Sequence, residues 1–420
     1  MSLQKRSWLA LIATAIATFN SGALFFGYPG VLTPWWGEKF GANNSQTGFI
    51  MTFACLGVGL LMLVSGFIHA KIGTRKCIMI GSAILIGAML LANAASSIYH
   101  AFLWAFLCGA GNGFIYGPCI GTCQQWMPTR RGLASGVVNL TFGTAGAIMS
   151  IVYTKLLYNE SIGYTRMNWI IIGMLIILNS ISVIFAEMPS FTHLTAEQEK
   201  ELEEQKQKAS QKSIQSLSAR SFTVKEALKT KFFWLLWLAW LFMGAAGISM
   251  VSLAGKYAIS IGLTSSVVLT AFNITNGVGR IIAGTLSDKI GGNLTGLIIL
   301  VIGGIGYLCL PFFTNIVPVA VFSAFVGLAF GTLFTVTAPL VSGLFGLKNY
   351  SMIFSLIFSA YGFLSGVLGP FLSGKLLDIS DNNYSIVFRL LSIFCFVGAI
   401  CIFFAKKRQS KIKNQNYGQN

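Results

Sequence analysis

A membrane protein of twelve helices, arranged as two pseudo-symmetric six-helix bundles, is the fold class this sequence predicts. Three observations predict it. The chain has 420 residues, of which 55% are hydrophobic and only 10% charged, whereas a soluble domain carries about 25% charged residues. Apolar runs of about 20 residues, each long enough to cross a bilayer, recur along the whole length. The sequences on either side of one long polar segment also echo one another.

In chain order the first six runs cover roughly 8–34, 46–68, 76–97, 101–126, 133–157 and 168–186. The second six cover roughly 232–258, 264–287, 294–314, 317–346, 351–374 and 385–405. The first run is longer than a signal-peptide core and has no small-residue cleavage site behind it, so it is expected to be retained. Between the sixes, residues 187–230 are the only long polar stretch, a charged helical piece followed by a Gln-, Ser- and Lys-rich linker. The expected organisation is an N-terminal bundle over 1–186, a cytoplasmic linker over 187–230, a C-terminal bundle over 231–405 and a basic tail over 406–420.

An even number of spans puts both termini on one side. The termini and the loops on their side hold 22 of the 29 Lys and Arg, and the opposite loops with their flanking helix ends hold 6. That asymmetry is the positive-inside pattern, which predicts cytoplasmic termini in a multi-pass plasma (inner) membrane protein. It also accounts for the net charge of +17 without nucleic acid, which is not an expected partner. The tail Lys406-Lys407-Arg408 with Lys411 and Lys413 is placed to touch anionic lipid.

Composition argues against enzyme chemistry. All eight cysteines fall in the apolar runs, and Cys119 and Cys123 share a face without a histidine or carboxylate near them in sequence. No metal set, cofactor motif or nucleophile–base pair is apparent. The glycine-rich run at 109–113 lacks the strand and Lys-Ser/Thr context of a phosphate loop.

One polar feature stands out inside the eighth run. Arg280 lies eight residues before Asp288, which at helical rise is ~12 Å below the membrane surface. An arginine at that depth faces a polar cavity and needs a partner. The twelve acidic residues fall in loops or at helix ends, so the expected anion is one that arrives as substrate. An arginine snorkelling to the surface is the competing reading, and depth argues against it. Asn276 and Asn273 precede Arg280 by four and seven residues on the same face. Arginine offers a planar fork for a carboxylate, and asparagine donates to a further oxygen. The fourth run repeats the spacing with Asn112 and Tyr116, the latter ~15 Å deep and able to close the site from the other half. Phe334 and Tyr28 are candidate walls for the apolar part of a substrate.

The internal echo carries a resemblance. The stretch 66–73, Gly-Phe-Ile-His-Ala-Lys-Ile-Gly, matches 284–291, Gly-Thr-Leu-Ser-Asp-Lys-Ile-Gly, at an offset of 218, and Gly109/Gly113 match Gly327/Gly331. These loops resemble the major facilitator signature, Gly-x-x-x-Asp-Arg/Lys-x-Gly. The resemblance implies the major facilitator fold, a substrate site between the bundles, and a cytoplasmic gate formed by Asp288, Lys71, Arg75, Arg130 and Arg131. The first copy has Ala70 in place of the aspartate, so half of that latch is expected to be missing. The segments 116–118, 126–136, 222–234, 276–280 and 358–362 are similar to the oxalate/formate antiporter branch and its monocarboxylate-porter relatives. Within that branch, oxalate-handling members have a lysine where this chain has Tyr361. One arginine then matches one negative charge, which favours a monocarboxylate. The expected function is secondary transport of a small organic anion by alternating access, as anion exchange or proton-linked symport, by a monomer in a lipid bilayer. A carrier for neutral amino acids or drugs, or a non-transporting receptor on the same scaffold, remain the alternatives.

Overall fold

The structure is a computed structural model that describes residues 1–216, 222–346 and 350–406. The basic tail after Lys406 and linker residues 217–221 lie outside the described residues. Twelve helices are long and apolar enough to span a bilayer. They are α1 (Leu3–Phe40), α2 (Asn44–His69), α3 (Lys71–Asn93), α4 (Ile98–Trp126), α5 (Gly136–Leu157) and α6 (Gly163–Phe185), followed by α7 (Lys231–Ser260), α8 (Ser266–Ser287), α9 (Gly292–Phe312), α10 (Ile316–Phe345), α11 (Met352–Ile379) and α12 (Tyr384–Phe404).

Several ends lie beyond the apolar runs, for local reasons. α1 starts at a Ser2 cap and closes on Gly41, whose φ of 60° is left-handed. Lys5, Arg6, Glu38 and Lys39 therefore sit on helical turns outside the apolar stretch. α2 begins with a reciprocal cap between Asn43 and Gln46, the arrangement that satisfies two orphan N–H groups at once. Gly73, at φ 79° and ψ 168°, breaks the helical path near the start of α3. That conformation is one that side chains resist and glycine accepts. α11 runs past the expected end at 374 because Asp378 is held by another helix, as described below.

Two helices are locally underwound into π turns, α1 at Ala23–Gly27 and α11 at Tyr361–Ser365 and Val367–Phe371. A π turn inserts a residue and commonly marks a functional site. In α11 the second of these contains Pro370, which has no N–H to give.

α1 and α7 are the most enclosed spans and α6 the least, with Ile170, Ile176, Ile177 and Ile184 of α6 turned outward. The halves meet where α5 packs on α8 and α2 on α11, and much of the contact is backbone on backbone. A methyl group built at Gly143 would lie 3.0 Å from Gly277 Cα, and one at Gly59 3.0 Å from Gly362 Cα. Two turns nearer the chain termini on the same helix faces the situation reverses. A methyl at Gly136 or Gly66 would meet nothing within 4 Å, and one at Gly284 only Thr335 of its own half. The halves are thus sealed on the face away from the termini and splay apart toward the terminus face.

Candidate functional site

The seal ends at a polar cluster. Arg280 of α8 is 5% exposed, and its Nη1 donates across the halves to Asn139 Oδ1 of α5 at 2.9 Å. Nη2 donates more weakly, at 3.4 Å, to Asn276 Oδ1 one turn earlier. The Tyr116 hydroxyl of α4 donates to the same Asn139 oxygen. The guanidinium carbon lies 4.4 Å from the centre of the Phe334 ring, within the range of an attractive cation–π contact.

Beside this cluster is a small cavity of about 20 Å³ between the halves, lined by Phe25, Phe26, Val58, Met62, Asn112, Tyr116 and Phe142 on one side and Phe334, Phe358 and Tyr361 on the other. Such a volume holds about one water, so anything larger must move side chains to enter. The lining is aromatic because rings interlock here. Tyr116 packs at 4.5 Å on Phe142, and Tyr361 contacts Phe358 and Phe334.

The unmet polar atoms define the chemistry. Arg280 Nε, Asn276 Nδ2 and the Tyr361 hydroxyl are buried donors without a partner, and Asn112 Oδ1 is an acceptor without one. Leaving such groups unmade is expensive in a protein interior. Arg280 takes part in neither of the two ion pairs found among the described residues. A cation and surplus donors gathered at an aromatic slot are chemically complementary to a small acceptor-rich group with an apolar neighbour.

Of the residues singled out in the sequence, Arg280, Asn276, Tyr116, Asn112, Phe334 and Tyr361 come together here. Tyr28 does not. It is buried among Trp36, Trp104 and Tyr153, and its hydroxyl donates to Asn168 at 2.7 Å. The π turn just before it presents Phe25 and Phe26 to the cavity in its place. Sequence reasoning missed those two, and also Asn139, Phe142 and Phe358. The paired motif of asparagine and arginine on α8 gave no indication of which residue on another helix would face it.

On the terminus face, Arg75 pairs with Glu187 at 3.0 Å and donates to the Ile184 carbonyl at 2.8 Å. Burial raises the Glu187 carboxyl above its ordinary pKa, which the Arg75 charge offsets only in part. These bonds stay within the N-terminal half. Near the missing aspartate, His69, Thr74 and Thr122 bond to one another instead. Lys71 and Arg130 are exposed, while the side chains of Asp288 and Arg131 lie outside the described residues.

A latch on the opposite face was not foreseen. Asp378 at the end of α11 accepts from the backbone N–H of Asn44 and of Ser45, each at 2.8 Å, and from the Ser45 hydroxyl. Lys256 of α7 donates to Asn44 Oδ1 at 2.8 Å and Thr47 Oγ1 at 2.6 Å. The first turn of α2 is thus held by both a carboxylate and an ammonium from the other half, and the carboxylate sits where the helix dipole favours negative charge.

Residues 11–320 and 260–418 match the sequence profile of the Major Facilitator Superfamily. An uncharacterised MFS-type transporter, YhjX of Escherichia coli K12, is 26% identical over 371 residues, 86% of each chain. The oxalate:formate antiporter of Oxalobacter formigenes is 28% identical over 273 residues, 64% of this chain and 60% of its own. Monocarboxylate transporter 9 of Rattus norvegicus is 27% identical over 146 residues, 34% of this chain and 28% of its own.

Proposed function

Because the chain belongs to the major facilitator superfamily, we propose that it is a secondary carrier of small organic anions, monocarboxylates above all, working by alternating access. One observation carries this reading: Arg280 is buried between the halves with only neutral amide oxygens on its fork. A carboxylate fits that fork through two charge-assisted bonds. The Tyr361 hydroxyl and Asn276 Nδ2 are set to donate to its remaining lone pairs, and the ring-lined slot takes an apolar tail. Two of its relatives, an oxalate:formate antiporter and a monocarboxylate transporter, favour the same substrate class. A single cation at the site favours a single carboxylate.

With termini in the cytoplasm, as the charge asymmetry favours, this is the inward-facing state. Glu38 and Asp378 lie at helix ends, away from the cavity, so the cargo itself neutralises Arg280. Transport is then exchange of one anion for another, or symport in which a proton travels with the anion.

Counterflow of radiolabelled acids into proteoliposomes tests the reading. A short-chain monocarboxylate should accumulate against unlabelled internal acid, and exchange should outrun net efflux. Arg280→Gln removes two charged bonds of about 1.5–3 kcal/mol each. It should therefore weaken half-saturation by ~100-fold or more. Undiminished carboxylate uptake by that variant would sink the reading, as would accumulation confined to neutral solutes.

A further inference from the structure

The atom that faces Arg280 from the other half belongs to a residue given no role so far. An arginine fork has donors only, so the Asn139 amide must present its oxygen to it. That oxygen receives both Arg280 Nη1, at 2.9 Å, and the Tyr116 hydroxyl. A carboxylate oxygen bound at this fork would take the same two donors. Asn139 also stands at the junction of the seal and the open side, three residues after Gly136 and four before Gly143. Its bond is therefore one that ties the two halves together.

We infer that Asn139 is a built-in stand-in for the substrate carboxylate. In the empty carrier it holds the fork and the Tyr116 hydroxyl in place with a neutral acceptor, and the arriving anion displaces it. This rests on the reading of Arg280 as the carboxylate site, and it adds a positioning residue that sets coupling. A neutral stand-in leaves the charge of Arg280 uncompensated, so the empty carrier reorients reluctantly. A carboxylate adds a formal negative charge and a bidentate fit that the amide oxygen lacks, so it competes successfully and releases the carrier to reorient. A permanent carboxylate at position 139 would do the work of the substrate, and the carrier would then cycle empty.

Two variants read this out. Asn139→Asp should raise the half-saturating concentration of monocarboxylate at least tenfold. It should also bring net efflux up toward the exchange rate, because the empty carrier returns freely. Asn139→Leu, of similar size with no acceptor, should lower half-saturation and widen the gap between exchange and efflux. A merely structural role would change the two rates together and leave their ratio fixed. Either an unchanged ratio in the aspartate variant or equal effects of Asp and Leu would overturn the inference.

Thermal unfolding without substrate separates this inference from the reading beneath it. The aspartate variant should unfold above the wild type and the leucine variant below it, since one supplies and the other removes a partner for a buried cation. If no carboxylate undergoes counterflow in the wild type, the reading of Arg280 as a carboxylate site fails on its own. The unfolding order then still decides whether Asn139 is the acceptor that holds Arg280, and any other order would overturn that role.

Discussion

The glycine seam makes a prediction that can be worked from distances. Gly143 and Gly136 lie two turns apart on one face of α5, one pressed on the other half and one facing open space. In Gly143→Ala the new methyl would sit 3.0 Å from Gly277 Cα and 3.2 Å from Gly277 N, where ordinary contact needs 3.4–4 Å. The obstructing atoms are backbone, so no side-chain rotation relieves them and the helices must move apart by a few tenths of an ångström. Overpacking of this kind costs about 1–3 kcal/mol, and it is felt only while the seam is closed. Alanine also gains about 0.8–1 kcal/mol of helix propensity over glycine, but equally in both conformations and at both positions. The equilibrium between the state described here and its alternate should therefore shift about 5- to 150-fold in Gly143→Ala, and hardly at all in Gly136→Ala. The assay is alkylation by a membrane-impermeant maleimide of a cysteine placed at Gly66, on the open side. Its rate should fall in the first variant and hold in the second. Equal behaviour of the two would show that the seam is not what separates the conformations.

Arg280→Lys keeps the charge but loses the fork, so carboxylate affinity measured by counterflow should drop about 10- to 100-fold, one charged bond's worth. Tyr361→Lys places a second cation in the cavity wall. The affinity ratio of dicarboxylate to monocarboxylate should rise about tenfold or more, and a ratio that stays flat would remove position 361 from the site. Asp378→Ala leaves the Asn43–Gln46 cap in place but removes the carboxylate that accepts from the Asn44 and Ser45 N–H groups, at about 1.5–3 kcal/mol for such a charged bond. It should open the far face in the same direction as Gly143→Ala, seen as slower labelling at position 66.

Spans and their number are legible in the sequence because the bilayer imposes one length and one polarity on each. Arg280 is legible for the same reason, since a deep charge without a partner violates that rule. Its companions Asn276, Asn112 and Tyr116 follow from helical spacing within single helices. What periodicity lacks is the pairing of faces across the halves. Asn139 sits in the unremarkable stretch Val-Val-Asn-Leu-Thr-Phe, and only the α5–α8 contact brings it to the fork. Tyr28 is engaged instead with Asn168, Trp36, Trp104 and Tyr153 of its own half, and residues on three other stretches of chain set that packing, which no local pattern around position 28 reveals. The Asp378 latch joins residues more than 300 apart in the chain, and a carboxylate just past an apolar run looks like an ordinary helix end.

The bare cation between the halves has an electrical consequence. While the site is empty, Arg280 carries a full positive charge that amide oxygens do not cancel, and reorientation changes the side of the membrane to which that charge is connected. Moving one elementary charge through 100 mV is worth about 2.3 kcal/mol, scaled by the share of the field it crosses. If transport is anion exchange, a carrier loaded with a monoanion is neutral at this position and indifferent to voltage, and membrane potential acts on the empty limb of the cycle alone. Voltage steps should then draw a transient current from the substrate-free protein, and saturating carboxylate should quench it.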